Sequence, residues 1–172
     1  DMRLTNPISA DLDVMRPSVL PNLLAAAKRN ADRGYPDTGL FEVGPAFRDD
    51  TPTGQDAVAA GVRHGNNGPR HWRDAPNGSN VYDAKADALA VLAAVGAPVD
   101  NLQISADAPA WYHPGRSGTL RLGKAGLAYF GEVHPKVLRR LDDRGPAAAF
   151  EVFLDQVPQP KQKGGKARSS LK

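Results

Sequence analysis

Residues 117–130 read Ser-Gly-Thr-Leu-Arg-Leu-Gly-Lys-Ala-Gly-Leu-Ala-Tyr-Phe, a pattern typical of two short β-strands joined by a tight turn. The runs Ser117 to Leu122 and Ala125 to Phe130 flank the pair Gly123-Lys124. Glycine in a two-residue connection supplies the positive φ that such turns need. The stretch therefore predicts a β-hairpin, with neighbouring strands that run antiparallel.

The rest of the chain extends this hairpin into a mixed fold. A second long-looped hairpin is predicted from strands at 39–43 and 57–63. Ser18 and Asp83 are the expected caps of the first two helices. The other predicted elements are strands at 102–105 and 147–154, and helices at 18–33, 84–95 and 134–141. Two hairpins and three helices indicate an α+β fold, an antiparallel sheet flanked by helices, which we expect on one side of it.

Composition narrows the cellular setting. The chain has 172 residues and no cysteine, which excludes disulfides and thiolate metal sites and fits a reducing, cytoplasmic environment. No apolar run approaches the ~20 residues that span a bilayer, so no membrane partner is expected. We expect one core module over residues 1–158 and a basic, flexible linker over 159–172, which is rich in Lys, Gly and Ser.

The positive charge of the chain is concentrated at its end. Five of the 22 Lys and Arg residues lie in 159–172, which holds no acid, so residues 1–158 have 17 basic and 19 acidic residues. A basic face for nucleic acid on the folded part is therefore not predicted. A stand-alone nucleic-acid-binding domain that uses the basic tail stays open as an alternative function.

Residues able to carry chemistry are scattered. The four histidines, His64, His71, His113 and His134, lack the tight helical spacing of zinc ligands and are interpreted as turn or capping residues. The run 115–118, Gly-Arg-Ser-Gly, is interpreted as a turn that starts a strand rather than an anion nest. From the residues alone we predict no catalytic residue and no metal site.

Six blocks of the sequence carry a resemblance to a known family. They are Asn6 to Leu24, which reads NPISADLDVMRPSVLPNLL, and then Leu40 to Gly44, Tyr82 to Asp87, His113 to Ser117, Phe130 to Pro135 and Phe150 to Val152. In this order the blocks resemble the β subunit of bacterial phenylalanyl-tRNA synthetases. The resemblance implies the antiparallel sheet of a class II aminoacyl-tRNA synthetase core. It also implies a cytoplasmic (αβ)₂ heterotetramer in which the α subunit uses ATP and Mg²⁺ to charge tRNA(Phe) with phenylalanine.

Departures from a working class II site imply that the chemistry is lost. Arg48 falls where a catalytic core has its motif 2 arginine for the ATP phosphates, and we expect it to be a remnant. At 150–155, the motif 3 position, Phe-Glu-Val-Phe-Leu-Asp has no glycine and no arginine, and Glu151 would repel a triphosphate. The resemblance thus implies a module with no catalytic or cofactor-binding residue of its own, inactive alone and packed on the α subunit.

The resemblance also implies a fragment. We expect the chain to lack the motif 1 helix and strand and to stop in the linker before the anticodon-binding domain. Apolar surface on the helix at 18–33, and on the sheet that it covers, is then expected to be exposed or re-covered. We expect the fragment to self-associate weakly or to be less stable than its size suggests, and to bind the α subunit.

Overall fold

A computed structural model describes residues 2–9, 13–68, 72–73 and 75–158. The predicted linker at 159–172 and His71 lie outside the described residues. The helices are α1 (Leu20–Asp32), α2 (Val81–Ala94) and α3 (Pro135–Arg140). The strands are β1 (Thr38–Phe47), β2 (Gln55–His64), β3 (Gln103–Ser105), β4 (Tyr112–Leu122), β5 (Ala125–Val133) and β6 (Ala147–Phe153).

The six strands form one sheet in the order β1-β2-β6-β5-β4-β3, and every neighbouring pair is antiparallel. Both predicted hairpins are confirmed, and Gly123 takes a φ of +60° in the tight turn between β4 and β5. The last strand, β6, inserts between the two hairpins and pairs with β2 and β5. The central strand of the sheet thus comes from the end of the described chain.

Helices cover both faces of the sheet, so the expectation of helices on one side is wrong. Successive residues of a strand point to opposite faces, and here Ala60 packs in one core with α1 whereas Ala59 packs in a second core with α2. We call these surfaces the α1 face and the α2 face. The run of small residues Ala147, Ala148 and Ala149 in β6 is buried from both sides.

Helix α1 begins after Ser18 rather than at it, because Val19 occupies the N-cap position. The Ser18 hydroxyl still accepts a hydrogen bond from the backbone N–H of Leu20, at 3.1 Å. The apolar stripe at helical spacing is buried, and consists of Leu20, Leu23, Leu24 and Ala27. The leucines of this helix are therefore buried in the core, and of the two expected outcomes, exposure of this surface is wrong.

Helix α2 is capped by Asn80, not by Asp83 as predicted. The Asn80 side chain accepts a hydrogen bond from the Tyr82 N–H at 2.8 Å, and the Asp83 carboxylate accepts one from the Asn80 N–H at 2.8 Å. Asp83 is thus the third residue of a capping box, a motif that satisfies two backbone donors at once. Among the described helices, none is long and apolar enough to cross a membrane.

Candidate functional site

The α1 face carries a buried carboxyl group at its centre. Glu151 lies on β6, where it pairs with Ala60 of β2 and Tyr129 of β5, and is only 4% exposed. The Ser18 hydroxyl donates to Glu151 Oε1 at 2.6 Å. A second oxygen, Oε2, accepts from Trp111 Nε1 at 3.3 Å and from the Tyr112 hydroxyl at 3.4 Å.

These donors come from two separate parts of the chain. Ser18 precedes α1, whereas Trp111 and Tyr112 stand at the start of β4, so the carboxyl on β6 joins the first helix to β4. Burial raises the pKa of Glu151, and the hydrogen bonds from Ser18, Trp111 and Tyr112 oppose that rise without cancelling it. Burial, together with the Glu151 charge, likewise raises the pKa of Tyr112 well above its ordinary value.

The surroundings of Glu151 are packed with side chains. The buried residues of this core include Leu20, Leu24, Val58, Ala60, Tyr112 and Ala149. A carboxyl held here meets protein donors and not solvent. The described α1 face is filled where β6 crosses it, and a ligand would have to displace core side chains.

Arg48 lies at the edge of the sheet, directly after β1. Its Nε is 2.6 Å from Asp56 Oδ2, and its side chain is 66% exposed. One terminal nitrogen also donates to the Thr53 carbonyl at 3.4 Å, within the loop that joins β1 and β2. The guanidinium thus links the two ends of the hairpin through its ion pair with Asp56.

The outer edge of β1 is hydrogen-bonded to a neighbouring segment at one end only. The Phe47 N–H donates to the Arg16 carbonyl at 2.9 Å, and Arg16 Nε donates to the Pro45 carbonyl at 2.9 Å. Backbone groups two residues apart point the same way in a strand, so those of Phe41 and Val43 also face outward. No described residue outside the sheet is hydrogen-bonded to the backbone of these two positions.

An apolar groove opens beside this free edge, on the α2 face. Phe41 and Val43 are 81% and 63% exposed and line a cavity of about 440 Å³ that extends to Ala90 and Val91 of α2. An ion pair of 2.6 Å between Arg63 and Asp87 also lines it. A free strand edge next to exposed apolar side chains is a surface suited to an added strand.

His64 is not a turn residue, as the sequence suggested, but the buried end of β2, only 3% exposed. Its Nδ1 is 2.8 Å from the Pro36 carbonyl, and its Nε2 is 2.9 Å from Asp143 Oδ1. Both ring nitrogens face acceptors, which favours the imidazolium. Burial opposes the charge, but the Pro36 carbonyl and Asp143 outweigh it, so the pKa of His64 is raised.

Of the other described histidines, His134 is a capping residue as predicted, whereas His113 lies inside β4 rather than in a turn or a cap. His134 is the N-cap of α3 and accepts from the Lys136 N–H at 3.0 Å, while His113 accepts from the Gly115 N–H at 3.1 Å. Residues 115–118 lie inside β4, at a register shift in its pairing with β5, so their interpretation as a turn that starts a strand is wrong. Among the described residues, no group of three His, Cys, Asp or Glu side chains is placed to hold a metal ion.

Sequence reasoning missed three members of the Glu151 cluster: Ser18, Trp111 and Tyr112. Ser18 was assigned to helix capping, and the two aromatic residues received no role. The available signal was a single acid inside the otherwise apolar run Ala-Ala-Ala-Phe-Glu-Val-Phe at 147–153. A carboxyl buried in a central strand requires partners, although the sequence does not say which.

The fold is that of a class II aminoacyl-tRNA synthetase core. Two solved structures of pyrrolysyl-tRNA synthetase from Desulfitobacterium hafniense superpose on it with a TM-score of 0.62. The first covers 88% of this chain and 51% of the synthetase chain at 17% identity, and the second covers 90% and 50% at 15% identity. At such low identity the likeness concerns the fold alone.

The sequence identifies the family within that class. The family described as "Phenylalanyl tRNA synthetase beta chain CLM domain" matches residues 1–154, and the chain belongs to it. It is 56% identical over 172 residues to the phenylalanine–tRNA ligase β subunit of Paramagnetospirillum magneticum, and 58% identical over 168 residues to that of Rhodospirillum rubrum. These alignments cover 100% and 98% of the chain but 22% and 21% of the relatives. The chain thus spans about a fifth of their length.

Proposed function

We propose that this chain is the non-catalytic, synthetase-like module of a phenylalanine–tRNA ligase β subunit. Its role is to pack on the α subunit and so to support ATP- and Mg²⁺-dependent charging of tRNA(Phe). In this proposal the ligase is a cytoplasmic (αβ)₂ assembly, and residues 1–158 form the module. The module contributes no catalytic, cofactor-binding or metal-binding residue.

The observation that carries the proposal is the Glu151 cluster. Nucleotidyl chemistry requires fixed positive charge around the phosphates and a cavity that admits the substrate. In place of positive charge and a cavity, the α1 face has a buried carboxyl with three protein donors. Arg48, the motif 2-like residue, is neutralised by Asp56. The fold is retained, and these features support a structural role for the module.

The free edge of β1 is the surface that we assign to the α subunit. Phe41 and Val43 combine outward-facing backbone groups with exposed apolar side chains. Covering them removes apolar area from water, and an added strand satisfies their N–H and C=O groups. The leucines of α1 are buried and cannot serve this role. The alternative function, nucleic-acid binding through the tail, depends on residues 159–172, which lie outside the described residues.

Assembly of the complete ligase tests this proposal. Full-length β subunit carrying Phe41→Asp is co-expressed with α, and the complex is measured by size-exclusion chromatography and ultracentrifugation. The matched control is Ile104→Asp, which places the same charge at an exposed apolar position of β3, the opposite edge strand. We expect Phe41→Asp to weaken α binding at least tenfold and Ile104→Asp to change it less than twofold. Equal affinities in both variants, with folding verified by circular dichroism, would contradict the docking surface.

A further inference from the structure

A second cavity lies on the other side of the molecule, at the end of α3. It has a volume of about 380 Å³, and three arginines line it: Arg116 of β4, Arg139 of α3 and Arg144 of the turn that follows. Pro135 and Pro146 also line it, at the start of α3 and just before β6. The net negative charge of residues 1–158 concealed this local concentration of cations.

Two of the three arginines have no acidic partner among the described residues. Arg116 forms an ion pair of 2.5 Å with Glu132, which also lines the cavity. The other acidic residue that lines the cavity, Asp143, is buried and hydrogen-bonded to His64. Arg139 and Arg144 therefore leave about two positive charges uncompensated in the cavity.

The turn that carries Arg144 is anchored rather than loose. Its neighbour Asp143 is bonded to His64, and the Gly145 N–H donates to Asp143 Oδ1 at 3.0 Å. Gly145 also lies against the imidazole, since a Cβ placed there would be 2.5 Å from His64 Nε2. The backbone of Arg144 is thus fixed on both sides, which lowers the entropy cost of binding an anion.

We propose that this cavity binds a phosphodiester group of the tRNA. The inference depends on the proposed function, since it needs a ligase that handles tRNA. Guanidinium groups match phosphate oxygens with paired N–H donors. Lys136 and Arg140 are exposed on the same short helix, so the positive surface continues beyond the cavity, as contact with successive phosphates requires. An acidic peptide, by contrast, would need only the cavity and not the positive surface beyond it.

The test uses the α–β holoenzyme with the double substitution Arg139→Glu and Arg144→Glu in β. We expect the KM for tRNA to rise five- to tenfold at low salt, with kcat and the KM values for phenylalanine and ATP changed less than twofold. The salt dependence of tRNA binding should weaken by roughly one to two units of slope, about one for each lost phosphate contact. The control, Arg29→Glu with Arg33→Glu, makes the same charge change on exposed residues around the end of α1 and should leave the KM for tRNA within twofold.

A milder pair, Arg139→Gln with Arg144→Gln, keeps side-chain length and guards against misfolding. It should raise the KM for tRNA about two- to fourfold. A KM equal to that of the control would overturn the proposal, and so would weaker α binding with unchanged tRNA binding, which would identify an acidic protein partner. A wild-type complex that fails to assemble or to charge tRNA would instead refute the proposed function.

Discussion

The Ser18 hydroxyl donates a hydrogen bond of 2.6 Å to Glu151, and so connects the residue before α1 to the central strand of the sheet, 133 positions later in the chain. This contact lies on the α1 face beside Trp111 and Tyr112, which donate to the other carboxyl oxygen. The cluster is thus a buried polar link that holds the first helix to the sheet.

Removing the Glu151 carboxyl should cost stability. Glu151→Ala leaves the donors of Ser18, Trp111 and Tyr112 without their acceptor, and a buried unsatisfied group such as the Tyr112 hydroxyl costs about 1–3 kcal/mol. We expect a loss of about 3 kcal/mol in the free energy of unfolding, or roughly 6–12 °C in Tm. Urea titration of the 172-residue chain measures it. A loss below about 1 kcal/mol would show that the cluster is not structural.

The charge of the same carboxyl predicts a dependence on pH. The pKa of Glu151 is raised in the folded state. The stability that its carboxyl contributes is therefore fully present below the unfolded pKa, near 4.3, and is lost as pH rises through the folded pKa. Glu151→Gln has no charge to desolvate. The stability of Glu151→Gln relative to wild type should therefore increase between pH 4.5 and pH 8. A constant difference across this range would contradict the raised pKa.

His64 predicts a second pH effect, at higher pH. Its folded pKa is raised by the Pro36 carbonyl and Asp143 in spite of burial, so the stability that it contributes is present below the unfolded pKa of about 6.5. That stability is lost as pH rises through the folded value. Wild type should lose more unfolding free energy between pH 6 and pH 9 than His64→Gln does. Parallel pH profiles would exclude a buried imidazolium.

The capping box of α2 should have a modest, local effect. Asn80→Ala removes the acceptor of the Tyr82 N–H, and loss of such a cap costs about 1 kcal/mol. Thermal unfolding should show a decrease in Tm of about 2–4 °C. Asn22→Ala, at an exposed position of α1, is the control and should change Tm by less than 1 °C. An equal change in both variants would show that the capping box is not what stabilises α2.

Local chemistry explains how far the sequence predicted the fold. Gly123-Lys124 lies between two runs of strand-forming residues, and the resulting hairpin is confirmed. The position of β6 was not predictable, because its pairing with β2 and β5 is set by contacts distant in sequence. Asp83 was assigned as the cap, but Asn80 also has a side chain suited to that role, and the extended backbone of Asn80 makes it the N-cap.

The candidate sites were harder to predict for a related reason. Glu151 was recognised as a departure from a working site, but its burial depends on Trp111 and Tyr112, forty residues earlier in the chain. His64 seemed to belong to the Gly- and Asn-rich loop that follows it, and Asp143 is the partner that explains its burial. Sequence separation conceals such pairs, whereas the cap formed by His134 is local and was predicted.

Arg48 provides a test of the motif 2 remnant inside the complete enzyme. Its guanidinium is paired with Asp56 at the protein surface, where such pairs contribute about 0–1 kcal/mol. Arg48→Ala in the β subunit should therefore change kcat and the KM for ATP of the α–β ligase by less than twofold. A tenfold loss of kcat with intact assembly would give Arg48 a role in the reaction.

The central claim is that this module keeps a synthetase fold without its chemistry. Phenylalanine-dependent exchange between ATP and pyrophosphate, measured on the purified 172-residue chain, tests it most directly. We predict no exchange above the rate without enzyme, with or without phenylalanine. Exchange that requires phenylalanine and disappears in Arg48→Ala would show a working active site and contradict the account.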